Sequence, residues 1–207
     1  MADTEVPRLK PAMAAREIAR LDALLAGAKS YVEFGCGGST LHAVRAGVAK
    51  IWSVESDNQW IKKLRLHPEI RSAEADGRLT FVQVHIGTTG RYGYPVLSKL
   101  RFLWPMHLVQ WPRYYEAVWE NEGAKDADLF LVDGRFRVAC ALMVALNCRP
   151  EATVAIHDFK KRPYYAELLK FFDSIKRVRN LQLLRVKSDF DREAAQAALR
   201  RARYNPA

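Results

Sequence analysis

The chain has little of what marks secreted or membrane proteins. It contains three cysteines, Cys36, Cys140 and Cys148. An odd number without CxxC spacing supports neither a disulfide framework nor a zinc site, so they read as reduced thiols of a cytoplasmic protein. No apolar run approaches the roughly 20 residues that a membrane helix needs. The first residues, MADTEVPRLKP, are polar and broken by proline, without the apolar centre of a secretion signal. No repeat, low-complexity tract or linker divides the chain, so residues 1–207 read as one domain preceded by a loose leader over 1–11.

What is present is the composition of a folded globular protein, 49% hydrophobic and 27% charged. The formal net charge of +10 is unevenly placed. Residues 160–207 carry 13 Lys and Arg against 5 Asp and Glu, a net of +8. Such a surplus suits a nucleic acid, an anionic membrane surface or an acidic substrate, and equally suits solvated helix faces.

The most informative stretch is YVEFGCGGST, residues 31–40. A short apolar strand, Tyr31 to Phe34, carries Glu33 and runs into Gly35, Gly37 and Gly38; Ser39 and Thr40 then open a helix marked by Leu41, Val44 and Val48. Glycines let the backbone N–H groups of such a loop approach a ligand, and the helix start offers unpaired donors. Cys36 lies inside the loop.

Around this stretch the pattern alternates. A helix from Ala12 stops at Gly27 and precedes the first strand. Lys50 to Glu55 is a second buried strand ending in an acid. Ser56 or Asp57 caps a helix through Trp60, Ile61 and Leu64 that ends by Pro68. Asp76-Gly77 turns the chain into a third strand, Leu79 to Ile86. Residues 87–115 break the rhythm with six Gly or Pro and seven aromatics, and read as an inserted lid or cap with one amphipathic piece, Val96 to Leu103. The segment could line a substrate pocket, touch a membrane surface, form a homodimer contact through 92–115, or simply cover the sheet edge.

A helix from Tyr114 to Asn121 leads to a fourth strand, Asp128 to Asp133. A buried helix, Phe136 to Leu146, holds Cys140 as a core thiol. The fifth strand, Ala152 to Ile156, ends at His157-Asp158. Pro163 opens a helix reaching Phe172. Ser174 to Arg179 and Leu181 to Lys187 form an antiparallel hairpin about Asn180. Ser188 with Asp191 caps a last helix over 188–204. Alternation of this kind predicts an α/β fold: a Rossmann-like, doubly wound, mostly parallel seven-stranded sheet with an antiparallel edge hairpin at its C-terminal end and helices on both faces.

Over roughly residues 12–190 the sequence resembles the class I S-adenosylmethionine (SAM) dependent methyltransferases. Glu33, Gly35 and Gly37 match the family's first motif in order, with Ser39 where its third glycine usually stands and Gly38 beside it. Glu55, 22 residues beyond Glu33, matches the acid that closes the second strand and accepts hydrogen bonds from the ribose hydroxyls. A nicotinamide-binding domain would show that spacing too, but its GxGxxG is not met, since Thr40 stands at the last glycine. The resemblance implies that Glu33, Gly35, Cys36, Gly37, Gly38, Ser39, Thr40, Glu55 and Ser56 hold SAM, that His85 and Ile86 pass the adenine, and that Asp133 faces the methyl-transfer site.

For chemistry, His157 is the first candidate base, because an imidazole titrates near 6.5; Asp133 or Asp158 would orient it or act directly. In metal-dependent relatives, acids at these two strand ends hold a divalent cation, here magnesium between Asp133 and Asp158, although the usual Asn is replaced by Phe159-Lys160. The expected activity is methyl transfer to a small-molecule acceptor, at oxygen. The alternatives are a nucleic-acid methyltransferase using the basic C-terminal region, or a non-catalytic methyltransferase-like binding protein.

Overall fold

The computed structural model describes residues 6–96 and 107–207. A seven-stranded sheet runs through it, in the order β3-β2-β1-β4-β5-β7-β6. Its strands are β1 (Ser30–Phe34), β2 (Lys50–Glu55), β3 (Leu79–Gln83), β4 (Leu129–Val132), β5 (Thr153–Ile156), β6 (Phe172–Val178) and β7 (Leu181–Val186). The first five are parallel, and β7 is inserted antiparallel between β5 and β6, which leaves β6 at the edge. This is the Rossmann-like arrangement that the alternating pattern implies.

The two-residue period of the strands sorts the core into two halves. Tyr31, Ile51, Leu129, Leu131 and Leu183 point to one face. There they meet Leu21 and Leu25 of α1 (Ala15–Leu25), Leu41 and Val44 of α2 (Gly38–Arg45), and Ile70 and Ala73 of α4 (Pro68–Ala75). Val32, Phe34, Val54, Phe130, Val132 and Ile156 point to the other, under α7 (Arg137–Asn147) and α8 (Arg192–Ala202). Short helices α5 (His107–Gln110) and α6 (Arg113–Glu116) cross this second face; α3 (Asn58–Leu64) follows β2.

Local chemistry explains the element ends. Asp57, rather than Ser56, caps α3 by accepting from Gln59 N at 2.9 Å, worth about 1 kcal/mol. Pro68, expected as a stop, instead starts α4, where its missing N–H costs nothing. Asp191, not Ser188, caps α8 through Ala194 N at 2.9 Å, so the last helix is shorter than 188–204. The segment after Pro163 is a 3₁₀ helix, Pro163–Lys170, and the helix expected from Tyr114 is split between α6 and a 3₁₀ turn, Ala117–Glu120.

The amphipathic piece expected at Val96 to Leu103 lies, beyond residue 96, outside the described residues. Of the rest of the insertion, residues 89–95 form a tight turn closed by Gly90 N to Tyr94 O at 2.7 Å, with Tyr92 and Gly93 at positive φ. Trp111, Tyr114 and Tyr115 are buried and pack around Phe136. That corrects the expected dimer contact for these three aromatics: they are core, not surface. The leader packs on the domain. From Arg8 to Ala12 it has no regular structure yet lies against the glycine loop, with Pro11 buried. Among the described residues no helix is long and apolar enough to cross a membrane.

Candidate functional site

A parallel sheet whose order reverses beside its first strand leaves a crevice at the carboxyl ends of β1 and β4. Here the two turns that follow these strands touch backbone to backbone. A Cβ built on Gly35, whose φ is +101°, would lie 2.6 Å from Gly134 Cα, and one on Gly134 would lie 2.0 Å from the Tyr114 hydroxyl. Only glycine fits at either place. A cavity of about 900 Å³ opens above this crossing, with the glycine loop, Glu55 and Ser56 on one side and Asp133, Arg135, Arg137, His157 and Asp158 on the other.

Glu55 ends β2 and faces this cavity. Its carboxylate accepts from Ser56 N at 2.6 Å, Asp57 N at 2.7 Å and Cys36 N at 3.1 Å. Burial pushes its pKa above the usual carboxylate range, although the three N–H donors oppose the shift. The result is an oriented acceptor at the mouth of the loop.

Glu33 does something else than expected. It is fully buried, and its carboxylate accepts from Ser39 Oγ at 2.6 Å, Ser53 Oγ at 2.7 Å, Tyr31 Oη at 3.0 Å and Thr40 Oγ1. It is absent from the cavity wall, as is Thr40, which also accepts from Gly37 N at 3.0 Å. The strand alternation is the reason: Glu33 shares the face of Tyr31, under α2, so it anchors the helix start instead of meeting a ligand. Burial raises its pKa against the four hydroxyl donors. Gly35, Cys36, Gly37, Gly38 and Ser39 do line the cavity.

His85 and Ile86 are also displaced from the expected place. The third strand stops at Gln83, and His85 is exposed in a separate groove of about 500 Å³, lined with Gln83, Val109 and Arg113. Ile86 is buried in the core, and its carbonyl accepts from Trp111 Nε1 at 3.0 Å. Trp60 and Lys63 of α3 line the cavity instead, with Lys63 Nζ 4.8 Å from the Trp60 ring centroid.

At the ends of β4 and β5 the charged groups are interlocked. His157 Nδ1 lies 3.0 Å from Asp133 Oδ1, and its Nε2 lies 3.5 Å from Glu17 Oε2. Burial lowers the imidazole pKa, but the Asp133 hydrogen bond and the charges of Asp133, Asp158 and Glu17 outweigh it and hold it above the ordinary value. An imidazole with a carboxylate near each nitrogen is favoured in its protonated form. His157 thereby ties α1, β4 and β5 together.

Arg137 lies between the two aspartates, 3.1 Å from Asp133 Oδ1 and 3.5 Å from Asp158 Oδ2, and also donates to three carbonyls, those of Asp133, Gly134 and His157. Lys161 takes Asp158 Oδ1 at 3.1 Å. A guanidinium stands where a divalent cation would have to bridge these oxygens, so the pair does not fit the magnesium site considered from sequence. Among the described residues no group of three His, Cys, Asp or Glu converges as metal ligands.

Sequence reasoning passed over Glu17. It reaches back to Ala14 N at 2.7 Å, accepts from Asn180 N at 2.6 Å and so ties α1 to the hairpin turn. Its place at the third position of an uncapped helix was the available signal.

No protein-family model matches the chain, and no curated protein matches it. Solved structures do. A methyltransferase-like protein of Silicibacter pomeroyi is 28% identical, with a TM-score of 0.78 over 96% of this chain and 99% of that one. An S-adenosylhomocysteine (SAH) bound methyltransferase of Podospora anserina is 15% identical, with a TM-score of 0.55 over 85% and 80%. The O-methyltransferase TomG of Streptomyces achromogenes, solved with SAM, is 17% identical, with a TM-score of 0.52 over 86% and 82%. The fold is that of the class I methyltransferases.

Proposed function

We propose that this chain, built on the class I methyltransferase fold, is a SAM-dependent methyltransferase whose acceptor is a small molecule methylated at oxygen. The observation that carries the reading is Glu55. Its carboxylate is held by three backbone N–H groups at the end of β2 and faces the cavity beside the glycine loop. Oε1 already takes two of these N–H groups, and Oε2, which takes only that of Cys36, keeps a lone pair for a hydroxyl donor such as a ribose presents. SAM, when bound, supplies a methyl already activated on a sulfonium.

What remains for the chain is to bind, align and deprotonate. The glycine loop and Ser39 line one end of the cavity, and Asp133 faces the other. We assign Asp133 to the acceptor hydroxyl, with His157 and Arg137 holding its Oδ1. Asp158, engaged by Arg137 and Lys161, is a positioning residue.

Titration calorimetry with SAM and SAH tests the reading. Binding of either in the micromolar range is expected, and no heat at millimolar concentration rejects it. If Asp133 acts directly, Asp133→Asn lowers turnover far more than cofactor affinity; equal losses in both would move Asp133 to the cofactor side.

A further inference from the structure

We propose that the acceptor is an oxyanion, a small molecule carrying a carboxylate or phosphate, and that Arg135 is the residue that binds it. The proposal rests on the methyltransferase reading, since it assigns the acceptor half of the same cavity. Arg135 follows β4, lines the cavity and is only 8% exposed. Its backbone is pinned on both sides: the N–H donates to Tyr114 Oη at 3.2 Å, and the carbonyl accepts from Cys140 Sγ at 3.3 Å. Its side chain is not. Nη1 is buried and has no hydrogen-bond partner among the described residues.

The Tyr94 ring covers the guanidinium, with Cζ 4.2 Å from its centroid. Stacking satisfies the face of a guanidinium and none of its in-plane donors. A buried donor left unpaired is destabilising, and a bound oxyanion would remove that cost. The planar fork of arginine matches carboxylate and phosphate alike.

The surroundings select an anion too. Among the described residues lining the cavity, eight are Lys or Arg and four are Asp or Glu. The four acids are already engaged: Glu17 by backbone N–H groups and His157, Glu55 by backbone N–H groups, Asp133 by His157 and Arg137, Asp158 by Arg137 and Lys161. Arg162 acts on the Tyr94 phenol as well. Burial would raise the Tyr94 phenol, but the charges of Arg135 and Arg162 outweigh it and hold it below the ordinary value. Lys161, Arg162 and Arg179, all from the basic C-terminal region, line the same cavity, which gives part of that region's charge a local use.

The test is a titration of benzoate, inorganic phosphate and the neutral benzamide into the SAH-saturated protein, followed by calorimetry. At least one oxyanion is expected to bind, about tenfold or more tighter than benzamide, and the better of the two identifies the source as carboxylate or phosphate. Arg135→Gln should weaken that oxyanion by about tenfold while SAH affinity stays within about twofold. Arg135→Lys keeps the charge and loses the fork, and should fall between the two. The proposal is overturned if neither oxyanion outbinds benzamide in the wild-type protein, a comparison that needs no variant to fold. It is also overturned if Arg135→Gln weakens SAH and not the oxyanion, which would give the guanidinium to the cofactor. If SAH does not bind, the methyltransferase reading fails, and titration into the free protein then supports or overturns the Arg135 assignment by the same Arg135 dependence.

Discussion

At the scale of single residues, the two glutamates of the site have exchanged the importance that spacing suggests. Glu55 meets the cavity, so Glu55→Ala should weaken SAH by roughly 10- to 100-fold, the value of one charge-assisted hydrogen bond at about 1.5–3 kcal/mol. Calorimetry checks it, and an unchanged affinity would show that the cofactor lies the other way round. Glu33 is absent from the cavity wall, and Glu33→Ala should cost stability instead. Its removal leaves the hydroxyls of Tyr31, Ser39, Thr40 and Ser53 without their shared acceptor, a loss of roughly 2–4 kcal/mol by urea denaturation.

His157 predicts a pH dependence. Its folded pKa is raised by Asp133, Asp158 and Glu17. A raised imidazole contributes stability that is fully present below about pH 6.5 and is lost as pH rises through the folded value. His157→Asn should flatten that decline in denaturation midpoints measured across neutral pH; an identical slope in the variant would remove His157 as its source.

At the scale of elements, the site is made by turns that approach more closely than side chains allow. Gly134 lies under the Tyr114 hydroxyl, with Phe34 O 2.8 Å from where its Cβ would be. Gly134→Ala must push α6 or β1 aside. A loss of about 1–3 kcal/mol is expected, together with weaker SAH binding, and a variant as stable as the wild type would mean that the crossing is slack. Trp111 illustrates the same closeness on the same face. It is 3% exposed and donates to Ile86 O, so Trp111→Ala should cost about 3–5 kcal/mol in stability. A surface tether would instead lose association alone.

At the scale of the molecule, the strand order decides where the cavity lies. Insertion of β7 antiparallel between β5 and β6 leaves the switch point between β1 and β4 free, and the two turns that meet there frame the cavity. The leader closes one side of it. A Cβ on Gly38 would lie 2.1 Å from Lys10 C, so residues 8–12 belong to the wall. Much of the alternating pattern was legible: β2 falls where it was expected, and α7 within a residue, because buried parallel strands and an all-round apolar helix leave strong signals. The helix at Pro68 was not legible, because a proline reads equally as a stop or a first turn.

The sequence alone determined that strand, glycine loop and helix follow one another at residues 31–45 and that an acid closes the second strand, because both are local and depend on backbone freedom and apolar run length. Only the tertiary structure decided which way each acid points. The pleat sends Glu33 under α2 and leaves Glu55 at the cavity mouth, while β4, β5 and α1 bring Asp133, His157 and Glu17 together from distant parts of the chain. Direction and long-range pairing depend on how the sheet packs, and packing is a property of the whole fold.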